Sequence, residues 1–134
     1  MTVRLAFCGT GYIAKIHAAA AAKLADVEIV AVADPFKAQR EEFAKKHTIK
    51  RQYDDLKDLI ADGDVDAISI NTPNYLHAPL SIAALNAGIH VMVEKPMAMN
   101  VAESLQMIDV AQKNDKRLMV AHCWRISRYG HPCD

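Results

Sequence analysis

Val3-Arg4-Leu5-Ala6-Phe7-Cys8-Gly9-Thr10-Gly11-Tyr12-Ile13-Ala14 is the stretch on which the fold turns. Its first half, VRLAFC, is a short apolar run of strand formers stopped by Gly9. Continuous apolarity suits a strand of a parallel sheet, covered on both faces. Its second half opens an alanine-dense run, Tyr12 to Leu24, which predicts a helix. Between them, Gly9 to Ala14 matches the pattern G-x-G-x-x-G/A. The first glycine of that pattern permits a tight turn, and the second leaves the backbone open to a pyrophosphate. The last small residue lets the helix pack close to the sheet. A helix starting there offers unpaired N–H groups and a partial positive charge to phosphates. Alone the pattern is weak; a strand before it and a helix after it make it a dinucleotide-binding fingerprint.

Working outward, the next strand is Val27 to Ala33 (VEIVAVA), stopped by Asp34-Pro35. Asp34 is the acidic residue expected at that strand's end, somewhat beyond the usual ~20 residues from the first glycine. Its carboxylate would accept hydrogen bonds from the adenosine ribose and repel a 2′-phosphate, favouring NAD. NADP stays possible, because Lys37 and Arg40 would reach a 2′-phosphate if Asp34 turned away. Phe36, Arg40, Phe43 and His47 predict the inner face of a helix over 36–47. A brief edge strand is expected at 51–53. A short helix over 54–61 follows, with Asp54 or Asp55 as its N-cap. Further strands are expected at 67–70 (AISI), 90–93 (HVMV) and 117–121 (RLMVA). Helices at 76–87, closed by Gly88, and from Asn100 to about 113, opened by an Asn100/Glu103 capping pair, lie between them. Strand and helix alternate almost strictly. The fold class is therefore α/β, a doubly wound parallel sheet in three layers, the Rossmann arrangement.

The 134 residues, 51% hydrophobic and 24% charged, suit one domain with its own core and exclude a disordered chain. Sixteen basic residues balance sixteen acidic ones, so neither nucleic acid nor an anionic membrane is an expected partner. No apolar run approaches the roughly 18–20 residues of a membrane helix, and no signal-peptide pattern opens the chain. Three cysteines do not suggest a disulfide framework, so a cytoplasmic location is expected.

Three motifs on the right elements then carry a family resemblance. Gly9-x-Gly11-x-x-Ala14-x-x-His17, Asn71-Thr72-Pro73-Asn74-x-x-His77 and Glu94-Lys95-Pro96 together resemble the N-terminal nucleotide-binding domain of the glucose–fructose oxidoreductase and inositol dehydrogenase family. The resemblance spans residues 3 to about 126. It implies NAD(P)-dependent hydride transfer to or from a sugar, a polyol or a related hydroxy compound, in a homo-oligomer. It implies that Thr72, Pro73, Asn74 and His77 line the cofactor, and that Glu94 and Lys95 approach its nicotinamide end. Lys95 is the implied catalytic residue, hydrogen-bonding the substrate hydroxyl or carbonyl. In the segment from His122 to Arg125, Trp124 and Arg125 are implied neighbours of the nicotinamide. The expected cofactor-binding set is thus Gly9, Thr10, Gly11, Tyr12, Ile13, Asp34, Asn71, Thr72, Pro73, Asn74, His77, Glu94, Lys95, Trp124 and Arg125.

The family's second, α+β domain would begin after this region. Residues 1–121 are expected to form the nucleotide-binding domain, and 122–134 to start a linker toward a domain absent from these residues. Two functions stay open: the cofactor portion of an oxidoreductase, or a non-catalytic nucleotide-binding module. His17 reads as a packed histidine on the face Ala14 turns to the sheet. Cys8 and Met92, Met97, Met99, Met107 and Met119 read as core filling. His122, Cys123, His131 and Cys133 fit none of the usual zinc spacings, so no metal site is expected.

Overall fold

A computed structural model of the chain describes residues 1–122. Six strands form one wholly parallel sheet. They are β1 (Val3–Cys8), β2 (Val27–Ala33), β3 (Arg51–Tyr53), β4 (Ala67–Ile70), β5 (His90–Glu94) and β6 (Leu118–Ala121). The order across the sheet is β3-β2-β1-β4-β5-β6. Five helices intervene: α1 (Tyr12–Ala21), α2 (Lys37–His47), α3 (Leu56–Asp62), α4 (His77–Asn86) and α5 (Val101–Lys113).

Alternation along each strand builds a core on both faces. Ala6, Cys8, Ile68, Ile70, Val91 and Val93 face one way, against Leu59 of α3, Leu85 of α4 and Met107 of α5. Phe7 and Val32 face the other way, against Ala14 and Ala18 of α1 and Phe43 and Ala44 of α2. The alanines on α1 let that helix sit close over the strands, as the sixth position of the glycine pattern requires. Met107 is fully buried, but Met99 and Met119 are exposed, so the methionines are only partly core.

Helix ends follow local chemistry. Asp55 Oδ1 accepts from Lys57 N at 2.9 Å and caps α3, so of the two candidate aspartates Asp55 is the N-cap. Asn100 Oδ1 accepts from Glu103 N, and Glu103 Oε2 reaches back to Met99 N, one residue before the cap. Several boundaries differ from expectation, and two show a local cause. α1 stops at Ala21, because Lys23 and Leu24 donate to carbonyls only three residues back and tighten the turn. Phe36 precedes α2 and is exposed, so the buried stripe of α2 begins at Arg40.

Candidate functional site

The chain runs from β1 outward through β2 to β3, then returns to β4 on the other side of β1. Strand order therefore reverses between β1 and β4, where ligands of open parallel sheets bind beyond the carboxyl ends. The loop after β1 and the loop after β4 meet at that point. Asn71 N donates to the Cys8 carbonyl at 2.8 Å. Gly9 has φ +87°, and a Cβ on it would lie 2.7 Å from the Asn71 carbonyl oxygen. Only glycine satisfies both the turn and the close approach.

Gly11 is different. Its φ is −70°, which any residue adopts, and a Cβ there would find nothing nearer than the Gln39 side chain at 3.8 Å. No atom of the described residues requires glycine at this position. The space belongs to whatever the loop binds. Gly11 is also the N-cap of α1 and supplies no side-chain cap, so the first N–H groups of the helix face this space unpaired. That is the geometry of a phosphate site at a helix N-terminus.

A cleft of 580 Å³ opens above these loops. Of the expected cofactor residues, Gly9, Thr10, Gly11, Asp34, Asn71, Thr72 and Pro73 line it. Asn71 Oδ1 and Thr72 Oγ1 are buried with no hydrogen-bond partner among the described residues. Buried acceptors left without donors call for a ligand that supplies them.

Asp34 is the hub of the cleft. Its Oδ2 accepts from Thr10 N (2.8 Å) and Thr10 Oγ1 (2.7 Å), and its Oδ1 accepts from Phe36 N (2.8 Å). The carboxylate thus fixes the glycine loop before it meets any ligand. Arg40 is not the free cation its sequence position suggests. Its side chain is 9% exposed, and Nη1 donates to the Asp34 carbonyl and the Asp54 carboxylate. Lys37 is exposed and pairs with Glu41, one turn on along α2.

His77 departs from the expected ligand contact. It is 1% exposed, with Nδ1 2.7 Å from the Pro96 carbonyl and Nε2 2.9 Å from the Thr72 carbonyl. Both ring nitrogens are occupied by backbone, so His77 ties the loop after β4 to the loop after β5 from below. Asn74 opens a 3₁₀ turn (Asn74–Leu76) ahead of α4 and is exposed. Tyr12 is exposed at the start of α1, and Ile13 is half-buried. Neither they nor Asn74 line the cleft.

Beyond β5, Glu94 is buried and Lys95 is exposed. Glu94 Oε1 lies 3.1 Å from His17 Nε2, and Glu94 Oε2 accepts from Lys95 N. His17 Nδ1 is 3.5 Å from Ser69 Oγ, which also accepts from Asn71 Nδ2 at 3.0 Å. A polar chain therefore runs Glu94–His17–Ser69–Asn71 across the carboxyl ends of β5 and β4. His17 is more than a packed histidine. The spacing Ala14-x-x-His17 on the sheet-facing side of α1 signalled its position, but its partner lies two strands away from β1. Cys8 is a core thiol. Burial, then the charges of Asp34 and Asp55, push it up to about 12. Trp124 and Arg125 lie outside the described residues, as do Cys123, His131 and Cys133.

Residues 3–122 match the model of an oxidoreductase family with an NAD-binding Rossmann fold. The chain belongs to that family. Among its relatives, it is 36% identical over 121 residues to inositol 2-dehydrogenase of Salmonella typhimurium, covering 89% of this chain and 36% of that protein. It is 35% identical over 119 residues to an NADP(+) scyllo-inositol 2-dehydrogenase of Bacillus subtilis, again over 89% and 36% of the two chains. Its fold superposes on the WlbA dehydrogenase of Bordetella pertussis, solved with NADH and UDP-GlcNAcA, with a TM-score of 0.91 and 29% identity. That match covers 96% of this chain and 40% of the other. The chain thus spans little more than a third of the length of these relatives. Family membership makes this an NAD-binding Rossmann domain, and the cleft beyond its strands holds the open space at Gly11 and the orphaned acceptors of Asn71 and Thr72. No helix among the described residues is long and apolar enough to cross a membrane.

Proposed function

We propose that these residues form the cofactor-binding part of an oxidoreductase acting on a sugar, a polyol or a related hydroxy compound. Two relatives are named for inositols, which supports that substrate class. The observation that carries the reading is Gly11, a glycine that no atom of the described residues requires, at the uncapped start of α1.

The bound nicotinamide would supply the hydride acceptor or donor. In this reading Gly9, Thr10 and Gly11 let the pyrophosphate approach the N-terminus of α1. Asp34 keeps that loop in place through Thr10 and has lone-pair capacity left for a ribose hydroxyl. Asn71 and Thr72 accept from cofactor groups that carry donors. Glu94, oriented by His17, sits at the nicotinamide end of the strand row. The exposed Lys95 ammonium donates to the substrate oxygen and takes or gives its proton as the oxygen's basicity changes. Residues 1–121 form the cofactor domain, and the subunits associate as a homo-oligomer.

Titration of the purified chain with NADH, followed by nicotinamide fluorescence and calorimetry, tests the reading. Saturable one-to-one binding is expected. A correctly folded chain that binds neither NADH nor NADPH would overturn it.

A further inference from the structure

A cluster of charge lies at the end of the cleft where the ribose is read. Asp34 follows β2 and Asp54 follows the neighbouring β3, and Asp34 N donates to the Tyr53 carbonyl at 3.0 Å, which sets the two side by side. Both line the cleft, as does Asp55. The Asp34 carboxylate already accepts three hydrogen bonds from Thr10 and Phe36, which leaves about one of its four lone-pair sites for a ligand. The Asp54 carboxylate is 79% exposed and accepts only from Arg40 among the hydrogen bonds described. Behind them Arg40 is buried, held by the Asp34 carbonyl at 2.6 Å and by Asp54 at 2.5 Å, with Nε buried and unpartnered.

We propose that Asp54 is a second determinant of cofactor choice. It latches the Arg40 guanidinium against the protein, and it adds its own negative charge beside Asp34. Together these make the end of the cleft reject the 2′-phosphate of NADP. A 2′-phosphate entering here meets carboxylates at Asp34, Asp54 and Asp55, while Arg40, the buried cation beside them among the described residues, is already engaged. Removing the Asp54 charge lowers the repulsion and gives the guanidinium a reason to turn toward the phosphate, its preferred bidentate partner. Removing Arg40 instead leaves Asp54 unbalanced and deepens the rejection. The two substitutions therefore act in opposite directions, which a purely structural ion pair does not do. The inference rests on the dinucleotide reading of the cleft.

The experiment titrates NADH and NADPH separately into the wild-type chain, Asp54→Asn and Arg40→Gln, and reads the ratio of the NADPH to the NADH dissociation constant. The ratio is expected to fall about fivefold or more in Asp54→Asn and to rise in Arg40→Gln. A ratio within about twofold of wild type in Asp54→Asn, or a shift of both variants in the same direction, would sink the proposal. Asp54 is exposed and asparagine keeps its shape, so Asp54→Asn decides alone if thermal melting shows Arg40→Gln unfolded. A wild-type chain that binds neither dinucleotide overturns the cofactor reading itself. Wild-type binding with an unmoved ratio overturns only the role of Asp54.

Discussion

Gly9 and Gly11 stand two positions apart and are glycine for different reasons. At Gly9 the cause is internal, since its φ is +87° and the Asn71 backbone leaves no room for a Cβ. At Gly11 the backbone is ordinary and the space is open. The two substitutions should therefore separate stability from binding. Gly9→Ala is expected to cost about 2 kcal/mol or more, through the left-handed backbone and the clash. Gly11→Ala is expected to stay within about 0.5 kcal/mol of wild type in urea melts. Its affinity for NADH should nevertheless fall about tenfold or more, because the new methyl occupies the pyrophosphate's approach. Gly11→Ala that binds NADH as tightly as wild type would show that the space serves no ligand. The pattern G-x-G-x-x-A marked both positions in the sequence. It did not distinguish them, because the neighbour of Gly9, Asn71, comes from the loop after β4, far along the chain.

At the scale of elements, boundaries were legible wherever a side chain caps its own helix. Asn100 with Glu103, Asp55 ahead of α3 and Gly88 after α4 act within a few residues and so show in the sequence. The close of α2 was less legible. Thr48 ends it with φ 56° and ψ 38°, a left-handed conformation that a β-branched residue adopts at a cost. The C-terminal turn carries Lys45, Lys46 and His47, and Ile49 returns to the core, its N–H bonded to the Ala44 carbonyl. Burying Ile49 makes the chain reverse at Thr48 despite its side chain. Thr48→Gly is accordingly expected to stabilise the fold by about 0.5–1 kcal/mol, measured by chemical denaturation. A loss of stability there would mean that the exposed threonine makes up for its backbone strain.

Across the whole molecule, the Arg4–Asp66 pair ties the start of β1 to the segment entering β4. Arg4 N and Nε donate to Asp66 Oδ2 and Nη2 donates to Oδ1, at 2.8–3.0 Å. These bonds hold the Asp66 carboxyl down to about 2, from an ordinary value of 3.8. A carboxyl with a depressed folded-state pKa binds protons less readily in the native state than in the unfolded chain. Its contribution is complete above about pH 4 and is lost as pH falls toward 2. Asp66→Asn should lower stability at neutral pH and flatten the pH dependence in that window, in melts run from pH 7 to pH 2. An unchanged acid limb would place the main acid-sensitive group elsewhere.

The two faces of the sheet are not covered alike. On the face of α1 and α2 the packed cluster holds Phe7 and Val32 but no residue of β5 or β6 among the described residues, and Met119 is 45% exposed. Val101, Leu105 and Ile108 also stand exposed along α5. Exposed apolar surface of this kind favours association. The 134-residue chain is expected to self-associate in a concentration-dependent manner, as read by sedimentation. A monomer at every concentration would count against it.

The sequence by itself determined the alternation of strand and helix, the parallel sheet and the glycine turn between β1 and α1. Those features arise from short-range causes: apolar runs for strands covered on both faces, capping side chains and glycine at the turns. It also placed Gly9, Asp34, Asn71 and Glu94 at or just past strand ends, on one edge of the sheet, because every parallel strand points its carboxyl end the same way. Only the tertiary structure decided which of them meet. Strand order puts β4 against β1, β5 against β4 and β3 against β2, and from those adjacencies come the Gly9–Asn71 contact, the Arg40–Asp54 latch, the His17–Glu94 chain and the His77 tie. Each of those pairs joins residues from different strands, helices or loops. No local periodicity encodes such a pairing; burial of the two sheet faces imposes it once the strands assemble.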